Sequence, residues 1–347
     1  MIYAFTAVSA VVPSMLLLWF FHSRDTFREP GRVVWATFGF GVLAIIPVLV
    51  VAAPFAIALD AAHLPYPLVV GLVSAFITAG FPEELFKYSV LVLYAGRHQE
   101  FDEPMDGIVY GVAASLGFAT LENILYTAQG GLGIALMRGL TAVPMHAACG
   151  AIMGWFYGRA RFSPPGQRLK PYLLGYLVPV VFHGLYDAPL LTLQEIVEGL
   201  GGADPSGDQA TLMFGLMAAS CVVLLVQLVA AVVLVQRARK EQQTAAVAAG
   251  QAVLQPARER SPVLGWLGVL TGGGLASVGG LFLLGALAVL VLQPPMDPGT
   301  DPMAAVGGFV ILGAPPLLVG LLAFGLGVRS LNRRGAPEVV LVGAPPR

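Results

Sequence analysis

The chain has 347 residues, of which 57% are hydrophobic and only 11% charged, with 19 Lys and Arg against 20 Asp and Glu. A soluble domain carries roughly a quarter charged residues, so this composition describes a membrane protein. It excludes a disordered chain, which needs low hydrophobicity and high charge, and a nucleic-acid binder, which needs a basic surface. Cys149 and Cys221 lie inside apolar runs and read as packing residues, with no disulfide framework.

A helix crosses a hydrocarbon core of about 30 Å with about 20 mostly apolar residues. Nine stretches qualify: residues 2–21, 34–59, 68–96, 105–128, 134–158, 172–193, 211–235, 263–292 and 304–328. The expected fold is therefore an all-α polytopic membrane protein with about nine transmembrane helices. No Lys or Arg precedes the first stretch, and its apolar run is longer than that of a cleaved signal, so it counts as a span. Arg24, Arg28 and Arg32 follow span one; Arg97 follows span three; Arg159, Arg161, Arg168 and Lys170 follow span five. Five more basic residues follow span seven and four lie in the tail, which puts 17 of the 19 on one side. The opposite loops carry Asp60, His63, Glu195, Glu198, Asp204, Asp208, Asp297 and Asp301 and no Lys or Arg. Basic residues in short loops favour the cytoplasm, so the N-terminus is expected outside and the C-terminus cytoplasmic.

This pattern divides the chain into a seven-span body at 1–236 and a cytoplasmic Ala/Gln-rich linker or surface helix at 237–262, which ends in Pro262. A two-span accessory at 263–328 and a cytoplasmic tail at 329–347 follow. The accessory carries small-residue runs such as Gly272-Gly273-Gly274, suited to close helix contact, and no buried ionisable group.

Two basic residues break the pattern. Arg138 is expected near the outer end of its span, where its side chain can snorkel to water. Lys87 is deep, inside Phe81-Pro82-Glu83-Glu84-Leu85-Phe86-Lys87. An ionised side chain at that depth costs about 2.5–3.5 kcal/mol, and Lys87 lies one helical turn from both Glu83 and Glu84. One ammonium cannot neutralise two carboxylates, so a proton, another cation or water must compensate the second. Pro82 removes the bond to the Thr78 carbonyl and Gly80 loosens the same turn, which predicts a kink just before the glutamates. The next spans add Glu122 and Asn123, then His146, then His183 and Asp187 on one helical face at i, i+4. Four successive spans thus offer carboxylates or imidazoles, and the others do not. Gly150, Gly154 and Gly158 form a stripe that lets span five approach a neighbour closely.

At Glu83-Glu84-x-x-Lys87, Phe118-x-x-x-Glu122-Asn123, His146 and His183-x-x-x-Asp187, in that order, the sequence resembles the PrsW family of intramembrane proteases. It is more distantly similar to the CAAX prenyl protease and bacteriocin-processing superfamily. There the prenyl proteases place a histidine where this chain has Glu122, and an asparagine where it has Asp187. The resemblance covers the catalytic core at 68–193 and not the last two spans. It implies cleavage of a membrane-tethered protein in a bacterial plasma membrane, with a single-span anti-sigma factor or similar regulator as the substrate class.

Peptide hydrolysis needs an activated water, a proton donor to the leaving amine and stabilisation of the oxyanion. The expected assignment makes Glu83 the general base and pairs Glu84 with Lys87, with those two roles exchangeable. His183, oriented by Asp187, steadies the water or oxyanion, and Asn123 donates to the oxyanion. Two versions stay open. One is metal-free; in the other a divalent metal such as Zn2+ sits on His146, His183 and a carboxylate from Glu122 or Asp187. The partners expected are a membrane-embedded protein substrate and the lipid bilayer, with no nucleic acid. Two rivals explain buried acids as well: a proton- or ion-coupled transporter and a non-catalytic membrane scaffold.

Overall fold

The computed structural model describes residues 2–248, 253–257 and 335–340. The chain divides into two units, Met1–Ala245 and Ala246–Arg347. Helices run in the order α1 (Ile2–His22), α2 (Gly31–Leu43), α3 (Ile45–Ala61), α4 (Pro67–Val73), α5 (Phe81–Leu93), α6 (Pro104–Leu140), α7 (Ala142–Phe162), α8 (Leu169–Gly199) and α9 (Gly207–Ala248). Among the described residues five helical stretches are long and apolar enough to cross a membrane: Gly31–Ala61, Pro67–Arg97, Pro104–Phe162, Pro165–Gly199 and Gly207–Ala248. The protein is a polytopic helical membrane protein. The two expected spans at 263–292 and 304–328 lie outside the described residues.

α6 forms the centre of the first unit. Every residue from Met105 to Thr120 is buried, and the helix packs against α7, α1 and α2. Small residues make this possible. A Cβ on Gly154 of α7 would collide with the Gly107 carbonyl of α6, and one on Gly111 with the Gly150 carbonyl, so α6 and α7 lie antiparallel with their backbones in contact. On another side, a Cβ on Gly117 would strike the Phe38 carbonyl of α2. By contrast α3 leaves Val50, Phe55 and Ile57 exposed, as a lipid-facing helix does.

The stretch Pro104–Phe162 bends at Gly131, whose φ of 67° and ψ of −161° suit only glycine at little cost. This differs from the expected fifth span at 134–158. Residues up to Leu140 belong to the end of α6 beyond the bend, and the helix that runs back along α6 begins at Ala142. Apolarity alone does not mark such a bend, because the residues on both sides of it are equally apolar.

α4 passes into α5 through a π-helical stretch, Ser74–Gly80. Pro82 has no N–H to give the Thr78 carbonyl, and the backbone slips register here, with the Phe81 N–H bonded to the Phe76 carbonyl. The kink expected from Gly80 and Pro82 thus takes the form of a widened turn immediately before Glu83. α8 runs antiparallel beside this segment: Thr192 faces Gly71, Val180 and Gly184 face Gly80, and Gly175 faces Tyr88. A Cβ on Gly184 would enter the Phe76 ring. That close approach brings His183 beside the glutamates.

Salt bridges Arg32–Glu100 at 3.0 Å and Arg159–Glu241 at 2.6 Å gather the basic segments at one end of the unit. At this end burial raises the carboxyls of Glu29 and Glu103 to about 7. α9 continues to Ala248, beyond the boundary expected at 236, because Ala, Gln, Lys and Glu are strong helix formers and no Gly or Pro interrupts them. One departure from an all-α chain is a short antiparallel pairing of β1 (Val253–Ala257) with β2 (Gly335–Val340). It joins the segments expected as linker and tail, both of which supply β-prone valines.

Candidate active site

The first turn of α5 presents two carboxylates, and one turn later Lys87 closes on both. Its Nζ lies 3.1 Å from Glu83 Oε2 and 2.8 Å from Glu84 Oε1. The same ammonium lies 3.0 Å from His146 Nδ1 of α7 and 4.3 Å from the centre of the Phe118 ring of α6. Lys87 and Glu84 are fully buried, whereas Glu83 retains 7% exposure.

α8 completes the set. His183 Nδ1 lies 2.7 Å from Glu84 Oε1, and its Nε2 lies 3.0 Å from Asp187 Oδ2 and 3.7 Å from Glu83 Oε2. The His146 and His183 rings meet edge to face at 5.1 Å. From α6, Glu122 Oε2 takes a hydrogen bond from His146 Nε2 at 2.9 Å. Seven of the eight sequence-predicted residues therefore form one connected polar network across α5, α6, α7 and α8. Asn123 is the exception, since its Nδ2 donates to the Ala10 carbonyl of α1 at 3.0 Å. Neighbouring positions on a helix point about 100° apart, so Glu122 and Asn123 serve different helices.

One member escaped the sequence reading. Arg138, expected to snorkel, donates from Nη2 to Glu122 Oε2 at 2.7 Å and stacks over the Tyr126 ring at 3.9 Å. The Gly131 bend folds it back onto the site. The signal was present, because Arg138 and Lys87 are the two basic residues that break the loop pattern.

The acids divide by their partners. Glu84 meets Lys87 and His183, with Oε2 buried and lacking a hydrogen-bond partner. Glu122 meets Arg138 and His146, and Asp187 meets His183. Glu83, His146 and His183 each bring a donor atom to within 4.8 Å of the others, a group able to hold a metal ion. This group differs from the ligand set expected from the sequence, in which Glu122 or Asp187 supplied the carboxylate. Each of those two instead hydrogen-bonds an imidazole nitrogen.

Residues 29–203, just over half of the chain, match the family model described as PrsW family intramembrane metalloprotease. The chain belongs to the PrsW family. It is 40% identical over 193 residues to the Protease PrsW of Geobacillus kaustophilus, an alignment that covers 54% of this chain and 80% of that protein. It is 38% identical to the Protease PrsW of Bacillus subtilis, covering 54% and 84%, and 41% identical to that of Halalkalibacterium halodurans, covering 53% and 82%. No solved structure matches the chain significantly. The PrsW match contains all eight expected site residues and Arg138, and makes the chain a multi-pass intramembrane protease. It leaves α9 and the expected C-terminal spans outside.

Proposed function

We propose that this PrsW-family protease cuts a peptide bond of a membrane-tethered protein with a water activated by Glu83. The observation that carries this reading is the unequal holding of the two glutamates. Glu84 is fully buried between Lys87 and His183, while Glu83 keeps its exposure and meets Lys87 through one oxygen. A general base must reach both the water and the departing proton, which favours Glu83. His183, steadied by Asp187, lies within 3.7 Å of Glu83 and is the donor beside that water. Lys87 fixes both glutamates and His146, and Glu122 fixes His146 from its other nitrogen. Asn123 is committed to Ala10 and steadies α1 against α6, so oxyanion stabilisation falls to His183 and Lys87. Glu83, once protonated, is the donor to the leaving amine.

A specific observation favours a metal-dependent version. Two imidazoles and one carboxylate match the donors that catalytic zinc takes, and Glu83, His146 and His183 supply them within 4.8 Å. A divalent ion bound there would supply Lewis acidity and a water of lowered pKa. In this version Glu83 is a ligand and not the base, and Glu122 orients His146. One of the two carboxylates on His183, Glu84 at Nδ1 or Asp187 at Nε2, gives way to the ion while the other orients the ring. Lys87 yields its contacts with Glu83 and His146.

The finer topology we infer is nine spans, with the N-terminus outside and the C-terminus cytoplasmic, the orientation that the basic loops favour. The substrate class is a single-span anti-sigma factor or similar regulator, by resemblance to the family. The test is a comparison of protein N-termini, by mass spectrometry, in host membranes expressing the wild type or Glu83→Gln at equal levels. New termini confined to the wild type would name the substrate and the side of cleavage. Identical termini with both proteins folded would return the transporter and scaffold readings.

A further inference from the structure

A second group of acids lies at the other end of α6. Asp25 and Glu29, from the segment between α1 and α2, meet Asp106 in the first turn of α6. All three are buried, at 4%, 6% and 0% exposure, and one oxygen from each lies within 4.8 Å of the others. Sixteen residues separate Asp106 from Glu122, about 24 Å along the helix at 1.5 Å per residue, so this group is independent of the active site.

Neutral donors reach the group. Tyr110 Oη donates to Glu29, and Gln242 Nε2 of α9 donates to Asp25 Oδ1 at 2.7 Å and also to Glu103. Backbone N–H groups of Asp102 and Glu103 donate to Asp106 Oδ2, each at 2.8 Å. Two oxygens are left over. Asp25 Oδ2 and Asp106 Oδ1 are buried without a hydrogen-bond partner, on side chains at least nine-tenths buried. Carboxylates held this close repel one another, and buried polar atoms are normally satisfied. A proton shared between Glu29 and Asp106 would answer the repulsion between those two but would leave Asp25 Oδ2 without a partner, whereas a divalent cation answers both conditions at once.

We propose that Asp25, Glu29 and Asp106 form a divalent-cation site that binds the α1–α2 segment to the start of α6. The donors are all carboxylate oxygens, with no imidazole or thiolate, which suits Mg2+, Ca2+ or Mn2+. The active-site group carries two imidazoles and suits softer ions, so the two groups select different metals. Gln242 links the site to α9, so the ion holds three segments of the first unit together at the end that carries the basic loops.

The test uses the full-length protein in detergent, stripped with a chelator, with Mn2+ as the probe followed by electron paramagnetic resonance. One Mn2+ per chain is expected, displaced by Mg2+ or Ca2+. Asp25→Asn and Glu29→Gln each weaken it at least tenfold, and His183→Ala leaves it unchanged. A second measurement does not depend on the acid variants. Tb3+, a hard-cation probe, is excited through tyrosine in the wild type and loses most of that emission in Tyr110→Phe while still competing with Mn2+. Failure to retain Mn2+ at about 1 mM would overturn the proposal, as would equal binding by the wild type and both acid variants.

Discussion

Arg138 Nη2 lies 2.7 Å from Glu122 Oε2, the same oxygen that accepts a hydrogen bond from His146 Nε2 at 2.9 Å. The chain Arg138–Glu122–His146–Lys87 thus connects the end of α6 beyond the Gly131 bend to the glutamates of α5. Arg138 is a positioning residue, because it acts on His146 through Glu122. Arg138→Gln is expected to lower kcat about 10- to 100-fold, by analogy with the loss of a residue that orients a metal ligand, with KM little changed. Arg138→Lys should restore part of the loss. The kcat and KM of both variants on the substrate identified by its new N-terminus check this. A fall in folded yield without a change in kcat would instead make the arginine purely structural.

Glu83 and Glu84 are adjacent in sequence, yet their replacement should have different effects. Glu83→Gln is expected to abolish cleavage while the protein stays folded, since the side chain keeps some exposure and one hydrogen-bond partner, with His183 farther off at 3.7 Å. Glu84→Gln withdraws a charge from between Lys87 and His183, both fully or almost fully buried. Breaking a buried ion pair costs about 3–5 kcal/mol. Glu84→Gln should therefore lower the thermal midpoint in detergent well below that of Glu83→Gln. Equal midpoints would argue against this division of roles.

Much of this site was legible because charge inside an apolar run is anomalous. Glu83, Glu84, Lys87, His146, His183 and Asp187 stood out one span at a time, and helical spacing already placed Lys87 on the glutamates and His183 on Asp187. Contacts between helices were not legible. No spacing states that His183 reaches Glu84, that Lys87 reaches His146, or that Asn123 turns to Ala10. Arg138 carried a signal as a misplaced basic residue, but the Gly131 bend that returns it to Glu122 depends on a backbone angle that hydropathy does not encode. Asp25, Glu29 and Asp106 gave no signal, because acids at the aqueous ends of helices are ordinary.

The α6–α7 contact gives a structural prediction. Gly154 and Gly107 approach so closely that a methyl group on Gly154 meets the Gly107 carbonyl, which belongs to the backbone and cannot rotate away. Overpacking of this kind costs about 1–3 kcal/mol. Gly154→Ala should lower the unfolding midpoint, and Gly154→Val should lower it further. Gly166, with open space around its Cβ position, serves as the control, and Gly166→Ala should leave the midpoint unchanged.

The two versions of the chemistry make opposite predictions for purified protein. If Lys87 is the working cation between Glu83 and His146, no divalent ion needs those donors, and the metal content attributable to them should stay below about 0.1 equivalents. If the three donors within 4.8 Å hold zinc, the wild type should retain close to one equivalent through purification. His183→Ala and His146→Ala should then each lose it, because removal of one of three protein ligands leaves too few to hold the ion tightly. Lys87 sharpens the comparison. Lys87→Met removes the ammonium that lies 3.1 Å from Glu83 and 3.0 Å from His146. Without a metal, two buried carboxylates lose their shared cation, and the variant should be strongly destabilised. With a metal, the ion's positive charge takes over part of that compensation, so Lys87→Met should fold better with added zinc than without it. Mass-spectrometric metal analysis, together with unfolding midpoints of chelator-stripped protein measured with and without zinc, separates the two versions, and a midpoint for stripped Lys87→Met that zinc does not move would exclude the metal-dependent one.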